Sequence, residues 1–231
     1  MTTVLRTERL ELVPITLPIF EAVMNADRRA AETLVEARFP AVWPGKQLIE
    51  QAFPASVEAI RKDPAIRLWG DRLVILPSDE YGDRRVVGSV IFHGYPTGGS
   101  EGRALPPGIA EVGYGIEAQY QRLGLATEAT GAAVHWALAQ KGVEAVQAVT
   151  FTLNKTSRRV LEKLGMRIIG TEEHDFLGEL LVYELRRSDL AAAAAAPCAR
   201  SSTCWPRWHW PASGTARPGT SSRGVSITRS F

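Results

Sequence analysis

Residues 109–127 read IAEVGYGIEAQYQRLGLAT, and this stretch decides the fold. The alternating apolar run Val112–Ile116 predicts a strand, and a short polar turn separates it from a helix that begins near Gly124. Small residues at 124 and 126 let neighbouring backbone amides crowd together, and the first amides of a helix have no intrahelical partner. The stretch therefore predicts a cradle of amides that binds an anion, with a plain polar turn before a helix as the alternative.

The spacing of this loop does not match the common nucleotide-binding loops. No Gly-Lys-Ser/Thr follows it, and the order G-x-G-x-x-G is missing. A helix is predicted over Gly124–Gln140, where small and apolar residues recur three or four apart on one side, and Gly142 follows where a left-handed cap is expected. A strand over Ala145–Phe151 comes next, and a second helix begins just after Asn154.

Two motifs in this order resemble those of one enzyme family. Gln121-x-x-Gly124-x-Ala126 is similar to the pyrophosphate loop Gln/Arg-x-x-Gly-x-Gly/Ala of the GNAT superfamily of N-acetyltransferases. The segment Asn154–Met166 resembles the family signature Asn-x-x-Ala/Ser followed by Lys-x-Gly-Phe, with Met166 where phenylalanine is usual. The N-terminal Thr7-Glu-Arg-Leu10-x-Leu12-x-Pro14 looks like the opening of the RimJ/RimL-type branch, the ribosomal-protein N-acetyltransferases.

The resemblance implies an α+β fold, a mixed and mostly antiparallel sheet flanked by helices, in a domain spanning residues 3–187. The pattern along the rest of the chain agrees with that fold. Strands are predicted at Leu10–Val13, Arg67–Leu76, Arg85–His93, Met166–Thr171 and Leu180–Leu185, and helices at Leu17–Asn25, Ala30–Ala37 and Lys46–Lys62, the last broken near Pro54.

Composition and charge narrow the class of protein. Hydrophobic residues make up 45% and charged residues 23%, as in a soluble globular protein with a sizeable core. Residues 1–190 hold 22 basic and 25 acidic residues, a balance that does not favour nucleic acid as a partner. No run is apolar enough to span a membrane, and the N-terminus has no signal-like core, so we expect a cytoplasmic enzyme. The two cysteines, Cys198 and Cys204, lie near the C-terminus, so the body needs neither a disulfide nor a metal.

Residues 191–231 differ from the rest of the chain. They open with six alanines and continue with Ser, Thr, Pro, Gly and Arg, and they contain five arginines and no acidic residue. The composition predicts a disordered tail, which the family resemblance does not cover. The cluster Trp205, Trp208 and Trp210 leaves two alternatives open, stacking on nucleic-acid bases or contact with a membrane surface.

The resemblance implies acetyl-CoA as co-substrate and no metal. Main-chain groups of the cofactor strand would bind the pantetheine arm, and the helix dipole would favour the diphosphate at the loop. Asn154 is a further contact to the arm or, alternatively, a helix N-cap. The residues assigned to the coenzyme are Tyr114, Gly115, Ile116, Gln121, Arg122, Leu123, Gly124, Leu125, Ala126, Thr127 and Asn154.

The candidate catalytic residues are Glu111, Ser157 and Asp175. Many family members carry a tyrosine as general acid where this chain has Leu161, so the resemblance to the RimJ/RimL branch moves the acid or hydrogen-bonding role to Ser157. Glu111, at the start of the cofactor strand, is the first candidate for the general base, with a solvated and inert carboxylate as the alternative. Asp175 and His93 are the other candidate bases.

The implied activity is transfer of an acetyl group to a primary amine by direct attack in a ternary complex, since residues 1–190 contain no cysteine. The branch resemblance implies a protein or peptide N-terminal α-amino group as acceptor. A small amine or an aminoglycoside, and a non-catalytic acyl-CoA-binding module, remain alternatives, and a homodimer is an open possibility. Trp43, Phe53 and Trp69 either line the acceptor pocket or belong to the core.

Overall fold

A computed structural model describes residues 3–41, 57–78, 82–93, 95–96, 105–174 and 178–190. In this part of the chain, eight strands form one sheet in the order β1-β2-β3-β4-β5-β6-β8-β7. Every neighbouring pair is antiparallel except β5 and β6, which run parallel. The predicted fold class is therefore confirmed. The strands are β1 (Leu5–Arg6), β2 (Glu11–Pro14), β3 (Arg72–Leu76), β4 (Arg85–Phe92), β5 (Ile109–Ile116), β6 (Ala145–Phe151), β7 (Arg167–His174) and β8 (Gly178–Arg186).

Helices cover both faces of the sheet. None of those in the described residues is long and apolar enough to cross a membrane. A single 3-10 turn at Ala118–Tyr120 lies between β5 and the longest helix. The helices are α1 (Leu17–Met24), α2 (Arg28–Val35), α3 (Val57–Lys62), α4 (Pro64–Arg67), α5 (Leu125–Ala139) and α6 (Lys155–Lys163).

Side chains of the central strands alternate between the two faces of the sheet. On one face, Leu73, Ile75 and Ile91 are buried in a core that includes side chains of α1 and α2. On the other face, Phe92 packs against Trp136 of α5 at a ring separation of 6.2 Å. The functional strand β5 thus lies between two helical layers.

The face under α5 also holds an aromatic cluster. Trp69 contacts Phe92, Tyr95 and Trp136 at centroid distances of 5.2, 5.5 and 5.1 Å. The buried guanidinium of Arg72 lies 4.3 Å from the centroid of Trp136, and none of the described residues accepts a hydrogen bond from it. Burial lowers the pKa of Arg72 to about 10, and the neighbouring Asp71 opposes that shift. Trp69 therefore belongs to this cluster, while Trp43 and Phe53 lie outside the described residues.

One predicted strand begins too early. Residues 67–71 do not extend β3, because Asp63 caps a short helix at Pro64–Arg67 by accepting a hydrogen bond from the Ile66 amide at 3.2 Å. The chain then turns at Gly70, whose φ of +79° suits a residue without a Cβ. Strand β3 consequently starts at Arg72.

Other predicted elements are present, some of them with shifted ends. β6 has the predicted bounds, and α5 differs from the predicted helix by one residue at each end. The second helix starts at Arg28, two residues earlier than predicted. The Asp27 side chain caps it by accepting a hydrogen bond from the Ala30 amide at 3.0 Å. The predictions for residues 42–56 and 191–231 fall outside the described residues.

Strands β4 and β5 approach each other closely at a glycine. A Cβ placed on Gly88 would lie 2.1 Å from the Gly115 carbonyl oxygen, whereas one on Gly170 would have no atom within 4 Å. We expect Gly88→Ala to lower the free energy of unfolding by about 2 kcal/mol or more, because backbone must move to admit the methyl group. Urea denaturation measures the change, with Gly170→Ala as the matched control at under about 1 kcal/mol. Equal effects of the two substitutions would contradict the close approach.

Candidate functional site

The sheet opens beside the second half of β5. Strand β5 pairs with β6 over Ile109–Glu111, while β6 pairs with β8 over its whole length, Ala145–Phe151. The remaining residues, Val112–Ile116, pair with β4 alone among the described strands. The two parallel strands therefore diverge after Glu111, and a gap lined by main chain opens between them.

Strand geometry decides which main-chain groups of β5 face this gap. Successive residues of a strand direct their backbone groups alternately to the two neighbours. The Glu111 carbonyl accepts from the His93 amide at 3.1 Å, and the Gly115 carbonyl lies against Gly88, so both point to the β4 side. Tyr114 and Ile116 consequently direct their main-chain groups toward the gap, and Gly115 directs its own toward β4.

The loop after β5 is tied to the end of the strand. The side-chain amide of Gln121 donates to the Ile116 carbonyl at 2.9 Å, which turns this side chain back onto β5. Arg122 and Gly124 both adopt left-handed backbone conformations, with φ of +63° and +81°. Gly124 is the N-cap residue of α5 and has no side chain to cap the helix.

The helix start leaves a row of amides available. Among the described residues that follow Gln121, the first amide with a backbone acceptor is that of Glu128, which donates to the Gly124 carbonyl at 3.1 Å. The amides of residues 122–127 precede it. Left-handed residues that alternate with other conformations make concave sets of N–H groups that bind anions, and the positive end of the α5 dipole adds to them. The amides of the predicted cradle, with those of Leu123, Leu125, Ala126 and Thr127 among them, thus lie together at the helix start, and their binding of an anion stays a prediction.

Helix α6 borders the gap from the other side. Asn154 is its N-cap, and its side-chain oxygen accepts a hydrogen bond from the Ser157 amide at 3.0 Å. The phenol of Tyr114 crosses from β5 and donates to the Ser157 carbonyl at 3.1 Å. Leu161, where a tyrosine is usual in the family, is buried at 1% exposure and packs in the core. The structure thus brings the Tyr114 phenol to the first turn of this helix, a contact that sequence patterns did not reveal.

Burial raises the pKa of Tyr114 to about 12, a shift that the hydrogen bond to Ser157 opposes and the nearby Tyr183 reinforces. The phenol consequently remains protonated across the physiological range. It acts there as a hydrogen-bond donor.

The candidate base lies on the opposite face of β5 from Tyr114. Glu111 forms an ion-pair contact with His93, with 3.6 Å between its Oε1 and the histidine Nε2, and both side chains are largely buried. A Cβ on Gly113 would lie 3.2 Å from Ile91 and 3.9 Å from the same histidine nitrogen, so this carboxylate shares the α1 and α2 face. Two of the three candidate bases are therefore neighbours. Asp175 lies outside the described residues.

Sequence reasoning missed a group of residues that supports the loop. Glu128, in the first turn of α5 and only 6% exposed, accepts hydrogen bonds from the Thr7 hydroxyl and the Arg9 side chain. Arg9 also donates to the Leu123 carbonyl at 2.9 Å. The available signals were an acidic residue within a helix of small and apolar residues, and the Thr7–Arg9 pair that carries the branch resemblance.

A second region of the surface, a cavity lined by charged residues, lies apart from this site. An open cavity of about 410 Å³ lies between α2 and residues 82–84. Charged side chains line it and pair with one another, as Arg38 does with Glu32 and Arg84 with Glu36. None of the predicted site residues borders it. Within the described part of the chain, no group of three or more His, Cys, Asp or Glu side chains is placed to hold a metal ion.

Comparison with known families decides what this arrangement is. The family model described as "Acetyltransferase (GNAT) domain" matches residues 9–167, which include the strand gap, the amide cradle and Asn154. The chain belongs to the GNAT acetyltransferase family. It is an acetyl-CoA-dependent N-acetyltransferase, as the sequence predicted.

A curated GNAT relative and two solved structures are similar over most of the chain. The "Uncharacterized N-acetyltransferase YjdG" of Bacillus subtilis (strain 168) is 29% identical over 161 residues, 70% of this chain and 88% of that protein. The ribosomal-protein-S5-alanine acetyltransferase from Vibrio fischeri has a TM-score of 0.52 at 16% identity, covering 81% of this chain and 98% of that one. RimJ from Mycobacterium smegmatis, in complex with CoA-disulfide, gives a TM-score of 0.52 at 16% identity, with coverage of 81% and 88%. These structures share the GNAT fold with this chain.

The buried phenol at the gap gives a prediction for this GNAT domain. Between about pH 10 and pH 12 the unfolded chain loses the Tyr114 proton while the folded state retains it, so the free energy of unfolding falls as pH rises. We expect Tyr114→Phe to remove about 1.3 kcal/mol of the decline between pH 9 and pH 11, because the ordinary tyrosine pKa of about 10 lies inside this interval and the folded-state pKa lies above it. Urea denaturation of both proteins at pH 9, 10 and 11 measures the difference. The same pH dependence in both would contradict the assigned burial.

Proposed function

We propose that this enzyme transfers the acetyl group of acetyl-CoA to a protein or peptide N-terminal α-amino group by direct attack in a ternary complex. One observation carries the proposal: a gap in the sheet leads straight into a cradle of amides at the start of α5. An extended arm followed by a diphosphate matches that sequence of features. Coenzyme A has this form.

The coenzyme would bind mainly through backbone. In this proposal the main-chain groups of Tyr114 and the amide of Ile116 pair with the pantetheine arm as a further strand would, and Gly88 lets β4 lie close to β5 at the Gly115 carbonyl. The diphosphate accepts hydrogen bonds from the amides of residues 122–127. Gln121 holds the loop against β5, and the exposed Arg122 adds positive charge at its rim. Asn154 fixes the start of α6, the wall facing the arm.

The chemical step needs a base for the amine and no enzyme nucleophile. The amine nitrogen attacks the thioester carbonyl carbon, the C–S bond breaks with its electron pair on sulfur, and the amine proton passes to Glu111 directly or through one water. His93 lies beside Glu111 and would stabilise the carboxylate when charged. Asp175, which lies between β7 and β8 in the sequence, is the alternative base.

Departure of the thiolate requires little assistance. A thiol pKa of about 8.5 makes the thiolate a good leaving group near neutral pH. Ser157 would donate a hydrogen bond or a proton to the sulfur from the first turn of α6. Tyr114 holds that turn through the Ser157 carbonyl.

The acceptor assignment depends on the N-terminal motif that resembles the RimJ/RimL branch. A small amine or an aminoglycoside is the alternative within the same chemistry, and a coenzyme-binding protein without turnover is the alternative outside it. We propose residues 3–187 as the transferase domain, supported by the last strand, which ends at Arg186, and residues 191–231 as a separate addition.

Release of free thiol from acetyl-CoA tests the function with three sets of acceptors. The first set is peptides with a free N-terminus, the second is the same peptides with an acetylated N-terminus and an internal lysine, and the third is small amines and aminoglycosides. We expect turnover with the first set alone. Turnover only with the third set would favour the small-amine alternative, and coenzyme binding without turnover would favour the non-catalytic one.

Replacement of the candidate base should change the pH–rate profile. We expect Glu111→Gln to reduce kcat/KM at pH 7 by roughly 100-fold, with a smaller loss at pH 9.5, where the α-amino group deprotonates in solution. Glu173→Gln, an exposed carboxylate on β7, is the matched control and should leave the profile unchanged. An unaltered profile for Glu111→Gln together with an altered one for Asp175→Asn would move the base to Asp175.

A further inference from the structure

Three residues far apart in the chain meet behind the amide cradle. We propose that Thr7, Arg9 and Glu128, called the loop clamp, position the cradle for the coenzyme diphosphate, with Arg9 as the positioning residue. The inference rests on the proposed function. It assigns a binding role to the turn between β1 and β2, which does not itself border the gap between β5 and β6.

The contacts of the loop clamp are dense and converge on Glu128, which is only 6% exposed. The Thr7 hydroxyl donates to Glu128 Oε1 at 2.6 Å, and the Arg9 backbone amide donates to the same oxygen at 2.9 Å. Arg9 Nε donates to Glu128 Oε2 at 2.7 Å. Arg9 Nη2 lies 2.5 Å from the same oxygen, so two nitrogens of the guanidinium meet a single carboxylate oxygen, and these charge-assisted contacts hold the guanidinium in place. Thr7 is itself held by its hydrogen bonds with Leu10, which close the turn.

With its guanidinium fixed by Glu128, Arg9 reaches the loop. Its Nη1 donates to the Leu123 carbonyl at 2.9 Å. In a trans peptide the C=O and the following N–H point in opposite directions. The Leu123 carbonyl faces Arg9, so the Gly124 amide faces away from it. Arg9 therefore sets the orientation of one cradle amide, and its charge on the carbonyl polarises that peptide in the sense that strengthens the N–H as a donor.

The charges of the loop clamp support the same positioning role of Arg9. Glu128 lies in the first turn of α5, where an unpaired carboxylate would repel an anion bound at the helix start. Arg9 neutralises this carboxylate and is 45% exposed in its side chain, close to Gly124. Loss of Arg9 should both free the Leu123–Gly124 peptide and leave a negative charge behind the cradle.

A donor without phosphates separates this role from general support of the fold. We expect Arg9→Met to lower kcat/KM for acetyl-CoA about tenfold, through KM, with kcat within twofold of the wild type. For S-acetylpantetheine, which lacks the diphosphate, kcat/KM should stay within twofold of the wild type. Arg6→Met is the matched control, since Arg6 pairs with Glu11 on the same hairpin and does not contact the loop. This control should leave both donors unaffected.

A second variant keeps the test decisive if Arg9→Met does not fold. Arg9→Met leaves Glu128 buried without its partner, which can destabilise the fold. Arg9→Met combined with Glu128→Gln removes both charges, and it should fold and show a smaller but still selective loss with acetyl-CoA. Equal losses with both donors, or no loss with acetyl-CoA, would overturn the positioning role. If the wild type releases no thiol from either donor, the proposed function fails, and calorimetric binding of desulfo-coenzyme A to the same variants decides on the loop clamp.

Discussion

The candidate site depends on the point where the hydrogen bonds between β5 and β6 end. Strands β5 and β6 pair over three residues and then part, so the backbone groups of Tyr114 and the amide of Ile116 lose a strand partner in the centre of the sheet, while the Ile116 carbonyl accepts from Gln121. A polar backbone group left without a partner away from water costs about 1 to 3 kcal/mol. A site with this property favours a ligand that carries its own donors and acceptors in an extended form. In the proposed function the gap is therefore a binding surface made of main chain, largely independent of which side chains surround it.

Contacts on the other sides of β5 keep the gap open. Gly88 allows β4 to approach β5 so closely that no side chain fits between them, and Tyr114 bonds to the first turn of α6. Both contacts fix the position of β5 beside the gap. The loop that follows is held in turn by Gln121 on the strand side and by Arg9 on the helix side. The diphosphate cradle is thus fixed from two directions before any coenzyme arrives.

Much of the fold could be predicted because its signals are local. The alternation in β6, the small residues along α5 and the glycine after it are read within a few residues of one another. The start of β3 could not be predicted from its apolar residues, since Asp63 and Pro64 begin a helix that competes with the strand. The loop clamp could not be predicted either, because Arg9 and Glu128 are 119 residues apart and no local pattern relates them. The direction of the Gly115 carbonyl required the register with β4, which is a property of the assembled sheet.

The central claim is that backbone amides at the start of α5 bind the coenzyme diphosphate. Titration of the ¹⁵N-labelled full chain with coenzyme A, followed by two-dimensional NMR, tests it most directly. We expect the largest saturable shifts on the amides of residues 122–127, with smaller ones at Tyr114 and Ile116. Saturable shifts confined to other residues, such as those around α2 and residues 82–84, with these amides unchanged, would contradict it.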